Sequence, residues 1–494
     1  MDRLRHTKCG EERPTCLKCI KSGWKCEGYS NESQNQLRAR AAGFNTTVNP
    51  DRFLVLHPGS KQERHHVHIF CTETSGALSG YFVSELWNRF LPQLSQIDST
   101  VSHAVAAVGA AYVFRTKQSA DRFECEAFSL KHYNKALQQF RQQLINHQDI
   151  ELDILLVACL LFACFEMLRS NNARILDHIQ GGMQILHIQQ QKKLKPRIGD
   201  DLNHELSQIF YRLSLQLPLF GRHVVPFNPQ SEKSTAQWCK RGLPFGDISQ
   251  ARYCLTDLMS QCLTLTRSVG FERVAPSAQI YEQLVQQQSQ LHDMFSNWYS
   301  AFASMMQKPA KRTGIVDHRA PLVLQVNFYA SLIWLLSFTS RSECRYDEYN
   351  TYFKYLVNAA EEIILGPRKE WPVRQLSFSL DPEIAPVVYW TAIKCREPQI
   401  RRRAIEVLSN YPTKDRLWGQ GNRYCMVARR ILEIEESSLS LPVEMRVPLD
   451  SQRIYEVLMS PSDDLDQNPY PVPIMMKPQG VDGPWETHTE YVAW

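Results

Sequence analysis

The sequence predicts an all-α fold, with a small cysteine-rich module and a linker ahead of one large multi-helical domain. Three observations carry this. Apolar residues recur at spacings of three and four from Gly80 onward. Strand signals are sparse. Four of the 14 cysteines fall within residues 9–26. With 494 residues, 43% hydrophobic and 22% charged, the chain has the composition of an ordinary globular protein and room for two or three domains. A net charge of +5 is too weak by itself to imply a nucleic-acid partner.

The first element, residues 1–29, contains "CGEERPTCLKCIKSGWKC", in which Cys9, Cys16, Cys19 and Cys26 are spaced C-x6-C-x2-C-x6-C. The C-x2-C pair lets one turn present two sulfurs to one ion, and Arg13-Pro14-Thr15 supplies a bend before it. Four thiolates suit a tetrahedral zinc ion, and a segment this short has no core of its own, so metal must supply its folding energy. The surroundings are basic: Arg3, Arg5, Lys8, Arg13, Lys18, Lys21 and Lys25 stand against Asp2, Glu11, Glu12 and Glu27. The N-terminus is charged rather than apolar, so no signal peptide is expected. No stretch approaches ~18 consecutive apolar residues, so no membrane span is expected either. Thiols in a reducing compartment at this spacing favour metal over disulfides.

Residues 30–79 read as a linker, because "SNESQNQLRARAAGFNTTVNPDR" is polar and without periodicity. His65, His66 and His68 within it read as solvated loop rather than a second metal site. Residues 80–440 read as helical. Val101, Ala104, Val105, Val108 and Tyr112 share one face, as do Leu130, Tyr133, Leu137, Phe140 and Leu144. Ile154–Phe165 is nearly all apolar, hence a buried helix, broken at Ser170-Asn171-Asn172 before a second helix to about Gln190. Further helices are expected over 203–217, 252–268, 277–305, 320–338, 350–365, 384–395 and 414–437. Residues 441–494, with "SPSDDLDQNPYPVPIMMKPQG", read as an extended proline-rich tail whose Asp463, Asp464, Leu465 and Asp466 could serve as an activation segment.

Catalytic patterns are missing from this reading. "GALSG" lacks the nucleophile-elbow spacing, Gly181-Gly182 follows no strand and precedes no Lys-Ser/Thr, and no zinc-protease or dinucleotide motif occurs. Glu361-Glu362 and Glu435-Glu436 read as solvated pairs, and Arg401-Arg402-Arg403 as a basic helix face. No enzyme is expected.

Residues 3–29, "RLRHTKCGEERPTCLKCIKSGWKCEGY", resemble the fungal binuclear zinc-cluster transcription factors. In that family six cysteines in two C-x2-C-x6-C copies hold two zinc ions. The resemblance places Cys9, Cys16, Cys19 and Cys26 on the third to sixth cysteines. It places Arg3, Arg5, His6 and Lys8 on the basic helix that enters the major groove of double-stranded DNA and reads a CGG triplet. The segment "FEMLRSNNARILDHIQGGMQIL", 165–186, resembles the fungal-specific regulatory domain that follows such clusters. The resemblance implies a zinc cofactor, a nuclear location, the transcription machinery as partner and control of RNA polymerase II genes, metabolic or in a secondary-metabolite cluster. No heptad repeat follows the cluster, so no coiled-coil dimeriser is expected, and a homodimer stays open.

One departure bears on mechanism. Counting back from Cys9, the family's second cysteine falls at position 2, where Asp2 stands, and its first would precede Met1. The expectation is a misjoined or truncated start, with a true half-cluster as the other option. The other functional reading is a helical regulatory or adaptor protein that no longer binds DNA.

Overall fold

The structure, a computed structural model, describes residues 59–116, 122–145, 152–192, 199–215, 243–269, 277–309, 317–366, 384–411, 421–440, 442–458 and 468–493. These all belong to one compact unit, 48–494. The cysteine module, most of the expected linker and the acidic stretch at 463–466 lie outside the described residues.

The helical region starts earlier than Gly80, inside the expected linker. Helix α1 (Lys61–Ile69) is opened by Ser60, whose hydroxyl accepts from the Glu63 amide while the Glu63 carboxylate accepts from the Ser60 amide. It continues through a wider turn, Phe70–Thr74, to Leu78. Val67 and Phe70 are fully buried. So is most of His66, which packs on Phe128 at 4.6 Å between ring centroids. The polar surface of 61–68 hid this role, because burial is confined to the end of the helix, at His66, Val67 and Ile69.

After a short helix α2 (Leu91–Ile97), α3 (Ser99–Thr116), α4 (Arg122–Ile145), α5 (Leu152–Leu168), α6 (Asn172–Gln191) and α7 (Asp200–Ser214) build the first core. Every residue of α5 from Asp153 to Leu168 is buried, as its unbroken apolar run requires. The break after it is real: Ser170 takes φ 61°, and Asn171 caps α6 by accepting from the Arg174 amide. The α4 face follows the expected spacing, except that Leu144 at its end is 41% exposed.

A second core is built by α8 (Ile248–Ser268), α9 (Ala278–Met306), α10 (Arg319–Ser337), α11 (Asn350–Leu365), α12 (Ala385–Lys394), α13 (Pro398–Ser409) and α14 (Gly421–Glu436). Trp298 is its centre: it stacks on Phe302 and Phe328 and donates its indole N–H to the Ala251 carbonyl at 2.8 Å. Among the described residues, α10 alone is long and apolar enough to cross a membrane, and it packs against α8, α9, α11 and α12 in this core.

Helix dominates, as the sequence predicts, and a small sheet is added where a tail was expected. Strands β1 (Ile454–Val457), β2 (Tyr470–Met476) and β3 (Glu486–Val492) form an antiparallel sheet in that order. Tyr470, Val472, Ile474 and Val492 are buried in the second core. The prolines misled because a central strand normally excludes them. Here Pro471 and Pro473 alternate with the inward residues, and β1 pairs only with the far end of β2, where Val457 faces Ile474 and Ile454 faces Met476. Most of the proline half of β2 is therefore bonded on one side only, by β3, with Tyr470 opposite Val492 and Val472 opposite Glu490.

Candidate functional sites of the helical domain

The residues that the sequence nominates, Cys9, Cys16, Cys19 and Cys26 for metal and Arg3, Arg5, His6 and Lys8 for DNA, lie outside the described residues. Their donor set, four thiols at zinc-ligand spacing, fits the chemistry of a tetrahedral zinc site. The described residues hold four arrangements that bear on function.

The first is the His178 segment. Tyr133 of α4 donates its hydroxyl proton to Glu166 at 2.7 Å, and His178 Nε2 lies 3.2 Å from the same oxygen. Burial holds the His178 pKa down to about 4, so the ring is neutral near pH 7. Burial and the Glu166 carboxylate push the Tyr133 phenol well up. Gly182 is a packing residue: a Cβ there would stand 2.1 Å from the Phe210 ring of α7. Gly181 has no such neighbour, the nearest atom being Cys159 Sγ at 4.0 Å. Of the glycine pair, Gly182 alone serves helix packing, and the three-residue polar cluster ties α4, α5 and α6 together.

The second is a cleft of about 470 Å³, counted out to its open mouth, between the two cores. Glu205 and Arg212 of α7 and Arg252 and Tyr253 of α8 line it. The Glu205 carboxylate accepts from the Ser84 hydroxyl at 2.5 Å and the Leu86 amide at 3.0 Å, which anchors the start of the Leu86–Phe90 turn. Burial raises its pKa. Arg252 lies over the Phe82 ring at 3.8 Å. These polar groups are committed to holding the chain between the cores.

The third is a buried charge network that corrects two expectations. Glu435, expected in solvent, is fully buried and pairs with Arg396 at 2.8 Å and with Arg401 at 2.8 Å, the latter an ion pair by distance rather than an aligned hydrogen bond. Burial would raise the Glu435 pKa, but Arg396 and Arg401 outweigh it and hold it at about 2. Glu436 is buried too and pairs with Arg402 at 2.5 Å, while Arg403 pairs with Glu361 at 2.5 Å. The arginine triplet is thus not one solvated face, since each member has its own carboxylate. Glu343 receives Lys394 at 3.0 Å and Arg396 at 3.1 Å. The network reaches β1: Glu435 accepts the Ile454 amide at 2.7 Å, and Lys394 donates to the Tyr455 carbonyl.

The fourth brings together Glu63 of α1, His103 of α3 and His132 of α4, none of which the sequence singled out. Their separations along the chain leave no local pattern to read. The two Nδ1 atoms lie 3.1 Å apart, and Glu63 Oε1 lies 3.9 Å from His103 and 3.7 Å from His132. Burial holds both imidazole pKa values below the ordinary range, that of His132 at about 4.

Comparison with known proteins gives two family matches. Residues 3–36 match the fungal Zn(2)-Cys(6) binuclear cluster domain, and residues 64–306 the fungal-specific transcription factor domain. The chain is 25% identical over 250 residues to the aspercryptin biosynthesis cluster-specific transcription regulator atnN of Emericella nidulans, an overlap of 45% of this chain and 41% of that one. It is also 25% identical over 250 residues to the transcription regulator lscL of Purpureocillium lilacinum, covering 45% of this chain and 54% of the other. The match thus spans about half the length of these relatives. No solved structure matches significantly.

Proposed function

We propose that this chain, which belongs to the fungal binuclear zinc-cluster transcription factors, is a zinc-dependent, DNA-binding regulator of RNA polymerase II genes that acts in the nucleus. The observation that carries this reading is the order of two domains: a zinc-cluster match over residues 3–36 and a regulatory-domain match from residue 64. Zinc is its cofactor. Cys9, Cys16, Cys19 and Cys26 hold it. Arg3, Arg5, His6 and Lys8 contact double-stranded DNA, and CGG-type half-sites are the target that the family resemblance implies. In domain terms, residues 1–29 bind DNA, 30 to about 58 connect, and the helical domain continues through the C-terminal sheet rather than ending at 440. Because one relative is named as specific to a biosynthesis cluster, the regulated genes are proposed to form a biosynthetic cluster.

Four thiolates fill one tetrahedron, so the module as it stands takes one zinc. The bound ion supplies the folding energy that the short segment lacks. The test is a competition binding assay of the full chain with CGG-containing and scrambled duplexes at fixed salt. The expected result is binding that chelation abolishes and zinc restores. DNA binding unchanged by chelation would overturn the zinc-dependent reading. A second reading, a helical regulator without DNA binding, is favoured by Asp2 at a family cysteine position; it predicts no duplex binding under either condition.

A further inference from the structure

We propose that Glu63, His103 and His132 form a binding site for one divalent d-block cation of the zinc class, separate from the N-terminal cysteines. The geometry is the first argument. Separations of 3.1, 3.7 and 3.9 Å define a triangle whose corners all lie about 2.1 Å from one central point, the length of a zinc–nitrogen or zinc–carboxylate bond. An ion there would meet two imidazole nitrogens and one carboxylate oxygen, with a fourth position left for water or a partner group. That donor set suits zinc, cobalt, nickel or copper and not magnesium or calcium, which take oxygen ligands.

The second argument is that the donors are held. They come from three helices, so their spacing is fixed by packing and not by a loop. The other Glu63 oxygen, Oε2, accepts from the Ser60 amide at 2.5 Å, which orients the carboxylate and leaves Oε1 toward the histidines. The His132 ring stacks on Phe128 at 4.1 Å, with its side chain only 4% exposed. Gly109 fixes the approach of α1 to α3, since a Cβ there would lie 2.2 Å from the His66 carbonyl oxygen. Against the cation stand Lys135, which acts on both rings, and Lys131, which acts on His132. With no ion, two neutral rings at 3.1 Å share one proton between their Nδ1 atoms. Metal takes the place of that proton, which moves to the Nε2 of its own ring so that both Nδ1 lone pairs face the ion, and clamps α1, the first described helix, onto α3 and α4.

The test uses the full chain, with any purification tag removed and metal stripped by chelation. Cobalt(II) is titrated into wild type, His103→Asn and Glu63→Gln. The cysteine cluster reports through thiolate-to-cobalt absorption in the near ultraviolet, to which a nitrogen–oxygen site adds nothing. Wild type should therefore bind one equivalent beyond the thiolate signal, and His103→Asn should lack it. Glu63→Gln keeps the helix cap, because glutamine serves in the same box. Its metal-free unfolding temperature should match wild type while affinity for the extra equivalent falls by at least ~10-fold, the low end for losing even an orienting partner. Zinc should raise the unfolding temperature of wild type more than that of either variant. Equal equivalents and equal shifts in wild type and Glu63→Gln would overturn the site and leave a histidine–histidine hydrogen bond. If His103→Asn does not fold, Glu63→Gln alone decides.

Discussion

Arg396 and Glu435 form a fully buried ion pair, 2.8 Å from Nη2 to Oε1, and the same carboxylate oxygen accepts the Ile454 amide at 2.7 Å. Arg396 in turn donates to the Ile454 carbonyl at 2.9 Å. One pair thus joins α12–α13, α14 and the first strand of the sheet. A buried pair is weak evidence of net stability against an apolar replacement, but breaking one strands a charge.

Replacing Glu435 by Gln should therefore destabilise the protein by about 3–5 kcal/mol, because Arg396 and Arg401 would keep their charge with less to balance it. Acid should act on the same group. Its folded pKa is depressed from 4.5 to about 2. The stabilisation it contributes is then fully present above pH ~4.5 and lost as pH falls from ~4.5 toward ~2, amounting to about 3 kcal/mol. Denaturant unfolding of wild type and Glu435→Gln across that range checks this: the difference between them should shrink with falling pH.

Ending the chain after Ser440 should abolish cooperative unfolding of the second core. The truncation removes Tyr470, Val472, Ile474 and Val492 from that core and takes the Ile454 and Tyr455 backbone groups from Glu435, Arg396 and Lys394. A fragment of residues 59–494 should unfold in a single thermal transition by circular dichroism, and one of 59–440 should be insoluble or unfold without a sharp transition. A sharp transition in the shorter fragment would show that the sheet is dispensable.

The contrast between helices and sheet shows what was legible in the sequence. Helices α3 to α6 were readable because their apolar spacing is local and each face packs on a neighbour in sequence. The cysteine module was readable for the same reason, its four cysteines lying within residues 9–26, inside the family match over 3–36. Glu435 was misread because its partners Arg396, Arg401 and the Ile454 amide are far along the chain, and adjacent glutamates usually sit in solvent. β2 was misread because its prolines suppress the strand signal, and only the short reach of β1 makes them tolerable. Glu63, His103 and His132 carried no signal, since three helices had to fold before they met.

Three glycines offer a graded test of helix packing. Gly109→Ala forces a Cβ to 2.2 Å from a backbone oxygen and should cost about 3 kcal/mol, since α1 must move. Gly182→Ala meets the Phe210 ring at 2.1 Å and should cost about 1–3 kcal/mol. Gly181→Ala meets nothing closer than 4.0 Å within helix α6 and should stabilise by about 0.5–1 kcal/mol. Urea midpoints of the three variants give the order, and a destabilised Gly181→Ala would contradict the packing described.

The last prediction concerns base choice. With Asp2 at the second family position, the basic stretch lacks the thiolate that this position would supply to fix it to the cluster. Arg3, Arg5 and Lys8 can still neutralise phosphates, which yields affinity that falls steeply with salt and is indifferent to sequence. Reading a triplet needs the side chains held against base edges. The chain as it stands should therefore bind CGG-containing and scrambled duplexes with similar affinity. Replacing Asp2 by Cys and adding a cysteine upstream at the C-x2-C spacing should recruit a second zinc, measured by metal analysis. The bridging thiolate would then fix the stretch bearing His6 and Lys8. Preference for CGG should rise by about 1–3 kcal/mol, the scale of one good bidentate base contact, or roughly 5- to 150-fold at fixed salt. Because the phosphate contacts are the same in both proteins, the salt dependence of binding to scrambled DNA should change little. Equal discrimination by the two versions would mean that four cysteines suffice to position the basic stretch.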